Sequence, residues 1–154
     1  EDALSSIRDL GKDLEVSEKA ESLISEIHHQ LAKKPPGSLL KTAYFIWKDP
    51  WMVAANDTYI NSVMKQHDLI NVFPDQKRYP QISLDDLSDK NPELILLSSE
   101  PFPFKENHIQ EIQHACPDAN IELINGEWFS CYRSGMVNAF EKLNAKRSNI
   151  KSVN

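Results

Sequence analysis

Seven of the 13 aromatic residues in this chain of 154 fall inside three short segments, 47–52, 98–104 and 125–133. They are Trp47, Trp51, Phe102, Phe104, Trp128, Phe129 and Tyr132, and they include every tryptophan of the chain. Rings of this size give much contact area for little lost side-chain entropy, so a cluster of them on loops suits a bulky, flat or partly apolar ligand. Phe102, Phe104 and Phe129 serve equally well as core covering the top of a sheet. Trp47, Trp51 and Trp128 favour the ligand. The same segments carry Asp49, Glu127 and Arg133, which set charge beside the rings.

Motifs of covalent and cofactor chemistry are missing. There is no G-x-S-x-G elbow, no P-loop, no G-x-G-x-x-G and no H-E-x-x-H, and four glycines are too few for a phosphate-cradling loop. His108 and His114 lie six apart, off a shared helix face, and His28 and His29 are sequential, which favours exposed polar histidines over metal ligands. Recognition is therefore the leading chemistry, with no catalytic residue and no resident cofactor or metal expected. Two alternatives stand beside it. One is a small-molecule enzyme acting on a carboxylated substrate through Glu127, Asp49 and Arg133. The other is direct capture of a divalent metal by histidines and carboxylates.

Side chains placed at one edge need a scaffold, and size and composition describe it. With 40% hydrophobic and 26% charged residues the chain is ordinary globular material for about one domain. A net charge of -6 argues against nucleic acid, which requires clustered Lys and Arg. Two cysteines, Cys116 and Cys131, are too few for a disulfide framework. No apolar run approaches the roughly 18 residues of a membrane span. The chain begins at Glu1 without an initiator Met or the layout of a signal peptide, so an upstream segment is expected to have been removed.

Periodicity then supplies the elements. Leu4, Ile7 and Leu10 recur at helical spacing up to Leu14, with a bend predicted at Gly11, and this stripe has no obvious partner nearby. Ala20, Leu23, Ile24, Ile27 and Leu31 form a second helical stripe, N-capped by Ser17 and stopped by Pro35-Pro36-Gly37. From residue 41 the period changes. The apolar runs 42–46, 94–97 and 121–124 are of the kind buried in parallel sheets, separated by helical stretches at 58–66 and 106–115 and followed by a helix over 136–146. A short extra strand is expected near 70–73, and Ser83 is expected to cap a short helix whose first turn holds Asp85 and Asp86 as capping acids. Alternating strands and helices imply a three-layer α/β/α lobe with a mostly parallel sheet, preceded by a long helix. In open sheets of this type ligands sit beyond the carboxyl ends of the strands, where the three aromatic segments fall.

Five runs taken together, in order and spacing, resemble one family. They are Tyr44-Phe45-Ile46-Trp47-Lys48-Asp49-Pro50-Trp51-Met52, Asn56-Asp57-Thr58-Tyr59-Ile60-Asn61, Arg78-Tyr79-Pro80-Gln81-Ile82-Ser83-Leu84, Leu96-Leu97-Ser98-Ser99-Glu100-Pro101-Phe102-Pro103-Phe104-Lys105 and Asn125-Gly126-Glu127-Trp128-Phe129-Ser130. The family is the class III, helical-backbone substrate-binding proteins of ABC importers, in particular the helical backbone metal receptors, which are similar to cobalamin and iron-siderophore receptors. The resemblance implies two lobes joined by one long helix, with a metal chelate, haem or corrinoid held between them and passed to permease subunits. It assigns residues 1–16 to a remnant helix of the N-terminal lobe, 17–37 to the inter-lobe helix and linker, and 38–154 to the C-terminal lobe, so the N-terminal lobe is missing and the first helical stripe would face it. It places Trp47 and Trp51 in the first ligand-facing loop, with Asp49 between them, Tyr79 at the cleft edge, and Glu127, Trp128, Tyr132 and Arg133 in the last loop. Asp85 becomes a permease-docking residue, one methylene shorter than the commoner glutamate. At 129–135 the chain reads Phe-Ser-Cys-Tyr-Arg-Ser-Gly where relatives tend to read Phe-Ser-Trp-Tyr-Gly-Ser-Arg, which alters the contacts of that loop. The family's usual location is the periplasm or, as a lipoprotein, the cell surface, with the cytoplasm as the alternative.

Overall fold

Strand β1 (Leu40–Trp47) organises the molecule, because three other strands pair with it. The computed structural model describes residues 2–33, 37–131 and 135–149. Before β1 come helices α1 (Asp2–Asp13) and α2 (Ser17–Ala32). After it follow β2 (Met52–Val53), α3 (Tyr59–Gln66), β3 (Leu69–Asn71), α4 (Leu84–Asp89), β4 (Leu94–Ser98), α5 (Glu106–Ala115), β5 (Asn120–Ile124), α6 (Glu127–Ser130) and α7 (Gly135–Asn149). The sheet runs β2-β1-β4-β5, with β3 also alongside β1. Among the described strands only β2 runs antiparallel to its neighbour.

Register follows from burial on both faces. Ala43 lies opposite Ile95 and Phe45 opposite Leu97, and these residues belong to a core roofed by Leu87 of α4 and Ile112 of α5. Tyr44 lies opposite Leu96, in the other core, where Ile24 and Ile27 of α2 meet Met136, Phe140 and Leu143 of α7. A run in which odd and even positions are both apolar can rest only between two helical layers, and a one-residue slip would exchange the two cores. The result is the three-layer α/β/α lobe with a mostly parallel sheet.

Four sequence expectations change. Ser17 is the first helical residue, not the cap. The cap position is Val16, whose side chain makes no capping bond. Gly11 marks no bend, since α1 continues through it. A Cβ there would lie 2.4 Å from Ala20 Cβ, so this glycine lets α1 and α2 approach closely. The apolar stripe of α1 finds a partner within the chain, with Ile7 buried and Leu4 packed beside it against the α2 core, while Leu10 and Leu14 stay exposed. The extra strand spans Leu69–Asn71, starting one residue earlier than expected. The predicted stop at Pro35-Pro36 lies outside the described residues.

Candidate ligand-binding site

Ser98, the last residue of β4, is the hub beneath the carboxyl edge of the sheet. Fully buried, its hydroxyl donates to the Glu100 carbonyl at 2.5 Å and receives the Tyr44 hydroxyl at 3.2 Å. The next residue, Ser99, accepts from the Gly126 N–H at 3.1 Å, while its own N–H donates to the Ile124 carbonyl. Two loops, one after β4 and one after β5, are thus drawn together. Gly126 is required at their closest approach: a Cβ there would stand 2.4 Å from Ser98 Oγ and 2.7 Å from Glu100 Cγ. Tyr59 of α3 donates to the Cys131 carbonyl at 2.8 Å and holds the far end of α6.

The opposite wall is the segment 78–82, which runs antiparallel beside β2. Val53 N–H donates to the Pro80 carbonyl, Ile82 N–H to that of Trp51, and Ala55 N–H to that of Arg78. Arg78 has a φ of 60°, a left-handed conformation that costs a non-glycine residue on the order of 1 kcal/mol. Its N–H is held by the Asp57 carboxylate. That bond sets the chain direction into Tyr79, whose ring is 41% exposed.

Between these walls lies a cavity of about 490 Å3. Ile46, Ile60 and Pro101 supply its apolar surface, and Tyr44, Tyr79, Glu100 and Ser130 its polar groups. Burial raises the Tyr44 phenol well above its ordinary pKa despite the hydrogen bond with Ser98, and the nearby Glu100 carboxylate adds to the effect, so this group stays a neutral donor. Burial likewise raises the Cys131 thiol, with Glu127 and Glu100 opposing its ionisation further. The two carboxylates therefore act on the same corner of the site.

Of the residues singled out in the sequence, Tyr79 lines this cavity. Trp47 stands at the end of β1, 39% exposed, with its ring edge-on to Phe102. Trp51 turns towards the core beneath α4 and α5, stacked on Phe104 at 6.2 Å with Lys48 Nζ 4.3 Å above its ring. Phe104 and Phe129 are buried core, as the covering role allows. Asp49 is exposed in the turn, 3.6 Å from Lys48 Nζ, which also pairs with Glu111 at 2.9 Å. Glu127 is exposed at the start of α6, and Trp128 packs partly against the α2–α7 core. Tyr132 and Arg133 lie outside the described residues. The sequence reading did not single out Ile46, Ile60, Glu100 or Ser130. Glu100 and Ser130 lay within the flagged segments, but no local pattern marked their orientation. Among the described residues no three His, Cys, Asp or Glu side chains gather as metal ligands would. His108 accepts the Lys105 N–H at 2.9 Å, capping α5.

Asp85 and Asp86 separate at α4. Asp86 forms the capping box: its carboxylate accepts from Ser83 N at 2.9 Å and Ser83 Oγ at 2.7 Å, and Ser83 Oγ accepts from Asp86 N at 3.0 Å. Asp85 is exposed and takes no part in it, which corrects the expectation that both are capping acids. The Ser83 hydroxyl, then its N–H, hold the Asp86 carboxyl below its ordinary pKa. A depressed folded pKa means a stabilising contribution that is complete above the unfolded value and lost as pH falls through the folded one. We expect Ser83→Ala to cost about 1 kcal/mol. In thermal melts at decreasing pH, Asp86→Asn should start less stable than the wild type and converge with it in acid.

No family model matches the sequence, and no curated protein matches it. Solved structures do match. A possible iron-binding periplasmic solute-binding protein from Staphylococcus epidermidis superposes with a TM-score of 0.77 at 18% identity, over 93% of this chain and 60% of its own. The periplasmic vitamin B12 binding protein of Vibrio cholerae gives 0.66 at 20% identity, over 95% and 60%. The periplasmic haem binding protein of the same organism gives 0.65 at 17% identity, over 90% and 60%. The chain thus has the fold of periplasmic solute-binding proteins and spans about 60% of the length of these three.

Proposed function

We propose that this chain forms one wall of a solute-binding receptor that captures an iron chelate, a haem or a corrinoid and delivers it to an ABC-type importer. The observation that carries this reading is the cavity at the carboxyl ends of β1, β4 and β5, built in a fold whose solved examples bind such ligands. Its chemistry is recognition: apolar surface, an exposed tyrosine and fixed hydrogen-bonding groups. Such a receptor works outside the cytoplasm, periplasmic or anchored at the cell surface. Among the described residues no helix is long and apolar enough to cross a membrane. Tyr79 is the ligand-facing ring of the wall beside β2, with Trp47 at the rim.

Asp85 is the permease-docking acid in this proposal. The cap uses Asp86, so the neighbouring carboxylate is free to meet a cation on the importer, and a rim ion pair sets orientation and association rate more than affinity. Asp85→Lys is expected to slow association with permease subunits while leaving ligand affinity unchanged. Equal association rates for the two proteins would remove that role.

Tryptophan fluorescence tests the main reading. Titration of the full-length protein with cobalamin, haem and ferric siderophores, corrected for absorbed light, is expected to show saturable quenching by one of them, and Tyr79→Ala should weaken it about tenfold, the loss of roughly one buried aromatic contact. Absence of saturable quenching from a folded protein would leave the enzyme alternative in front.

A further inference from the structure

The charge of the cavity goes beyond the proposed function, on which this inference rests, and narrows the ligand. Glu100 lines the cavity, and Glu127 opens α6 between Gly126 and Ser130, which also line it. Both are exposed, and neither pairs with a Lys or Arg among the described residues. No described Lys or Arg lines the cavity. Two described cations that flank cavity residues in the sequence are engaged elsewhere, Lys48 beside Ile46 with Glu111 and Asp49, and Arg78 beside Tyr79 with Asp57. The hub also uses the backbone of Glu100, its carbonyl and N–H on Ser98 Oγ, and leaves the carboxylate out. That carboxylate is available to a ligand at no cost to the scaffold.

A ligand bearing carboxylates or catecholate oxygens would meet the Glu100 carboxylate there, with Glu127 on the adjoining helix turn, and no Lys or Arg among the described lining residues. Like charge within a few ångströms works against the apolar contact such a ligand gains. A ligand that is neutral or cationic and carries N–H or O–H donors at its edge would instead find acceptors in Glu100, Tyr79 and Ser130, with Ile46, Ile60 and Pro101 for its apolar face. From this arrangement we infer that the site selects neutral to cationic, donor-bearing chelates, such as amide-rimmed macrocycles or cationic ferric hydroxamates, and discriminates against polyanionic ones.

The test uses four probes on the full-length protein: cobalamin, a cationic ferric trihydroxamate, a ferric tris-catecholate and haem with its two propionates. Cobalamin or the hydroxamate is expected to bind at least about tenfold more tightly than either anionic probe, the hydroxamate losing affinity as salt is raised. Glu100→Gln should weaken the hydroxamate about tenfold and Glu100→Lys more, with both variants melting at the wild-type temperature. Equal or tighter binding of an anionic probe, or an unchanged hydroxamate affinity in Glu100→Gln, overturns the inference and leaves the receptor reading intact. Binding of none of the four, from a folded protein, overturns the receptor reading and the inference together.

Discussion

Gly126→Ala is expected to destabilise the protein by about 2 kcal/mol and to weaken ligand binding by more than tenfold, although it adds a single methyl group. The added Cβ would stand 2.4 Å from Ser98 Oγ and 2.7 Å from Glu100 Cγ. Glu100 Cγ belongs to an exposed side chain and can swing away. Ser98 Oγ cannot, because it is buried between the Tyr44 hydroxyl and the Glu100 carbonyl. Rotating it would leave the buried phenol unpaired, at a cost of about 1–3 kcal/mol. Shifting the loop after β5 instead would open the wall carrying Ser130. Urea denaturation measures the first effect and fluorescence titration the second. With Ser98→Ala added the closest contact is gone and the phenol is unpaired in either case, so the combined loss should be less than the sum of the two separate losses in a double-mutant cycle. Unchanged stability and affinity in Gly126→Ala would mean that the two loops are not locked at this point.

The second large effect is expected at Asn71, a buried polar residue at the end of β3. Its amide donates to the Ala54 carbonyl at 2.9 Å and to Asn61 Oδ1 at 3.1 Å, and its oxygen accepts the Phe73 N–H at 2.9 Å. Asn71→Ala deprives three partners at once, so a loss of about 3 kcal/mol or more is expected in chemical denaturation. Asn71→Leu fills the space without restoring any bond and should fare no better. The effect should reach the ligand wall. Asn61 donates to the Asn56 carbonyl, and the adjacent Asp57 holds the Arg78 N–H in front of Tyr79. A stability loss below about 1 kcal/mol would mean that water replaces the amide.

The elements that were legible are those with a strong local pattern. The run 94–97 became β4 with one residue added, and α5 occupies 106–115 as expected, because helix-period burial of Ile112 and the turn chemistry at both ends agree. β2 and α6, of two and four residues, escaped because neither is long enough to show a period. Asp85 and Asp86 were equivalent by composition. Only the geometry of the turn decided which carboxylate reaches back to Ser83 N. Trp51 carried the strongest compositional signal of its loop, yet its ring stacks on Phe104, a residue 53 positions away, and that pairing has no local trace.

By itself the sequence determined the types of most elements, the two-sided burial of the sheet and therefore the edge at which a ligand would sit. These follow from periodicity, which records how each segment is buried relative to its own axis. Which side chains line the cavity was decided by the tertiary structure. Tyr79 reaches the cavity through the ladder beside β2, and Glu100 and Ser130 reach it through the contact of Gly126 with the Ser98 hub. Those placements depend on register between segments far apart in the chain, and a close approach between two backbones leaves no mark in the periodicity of either.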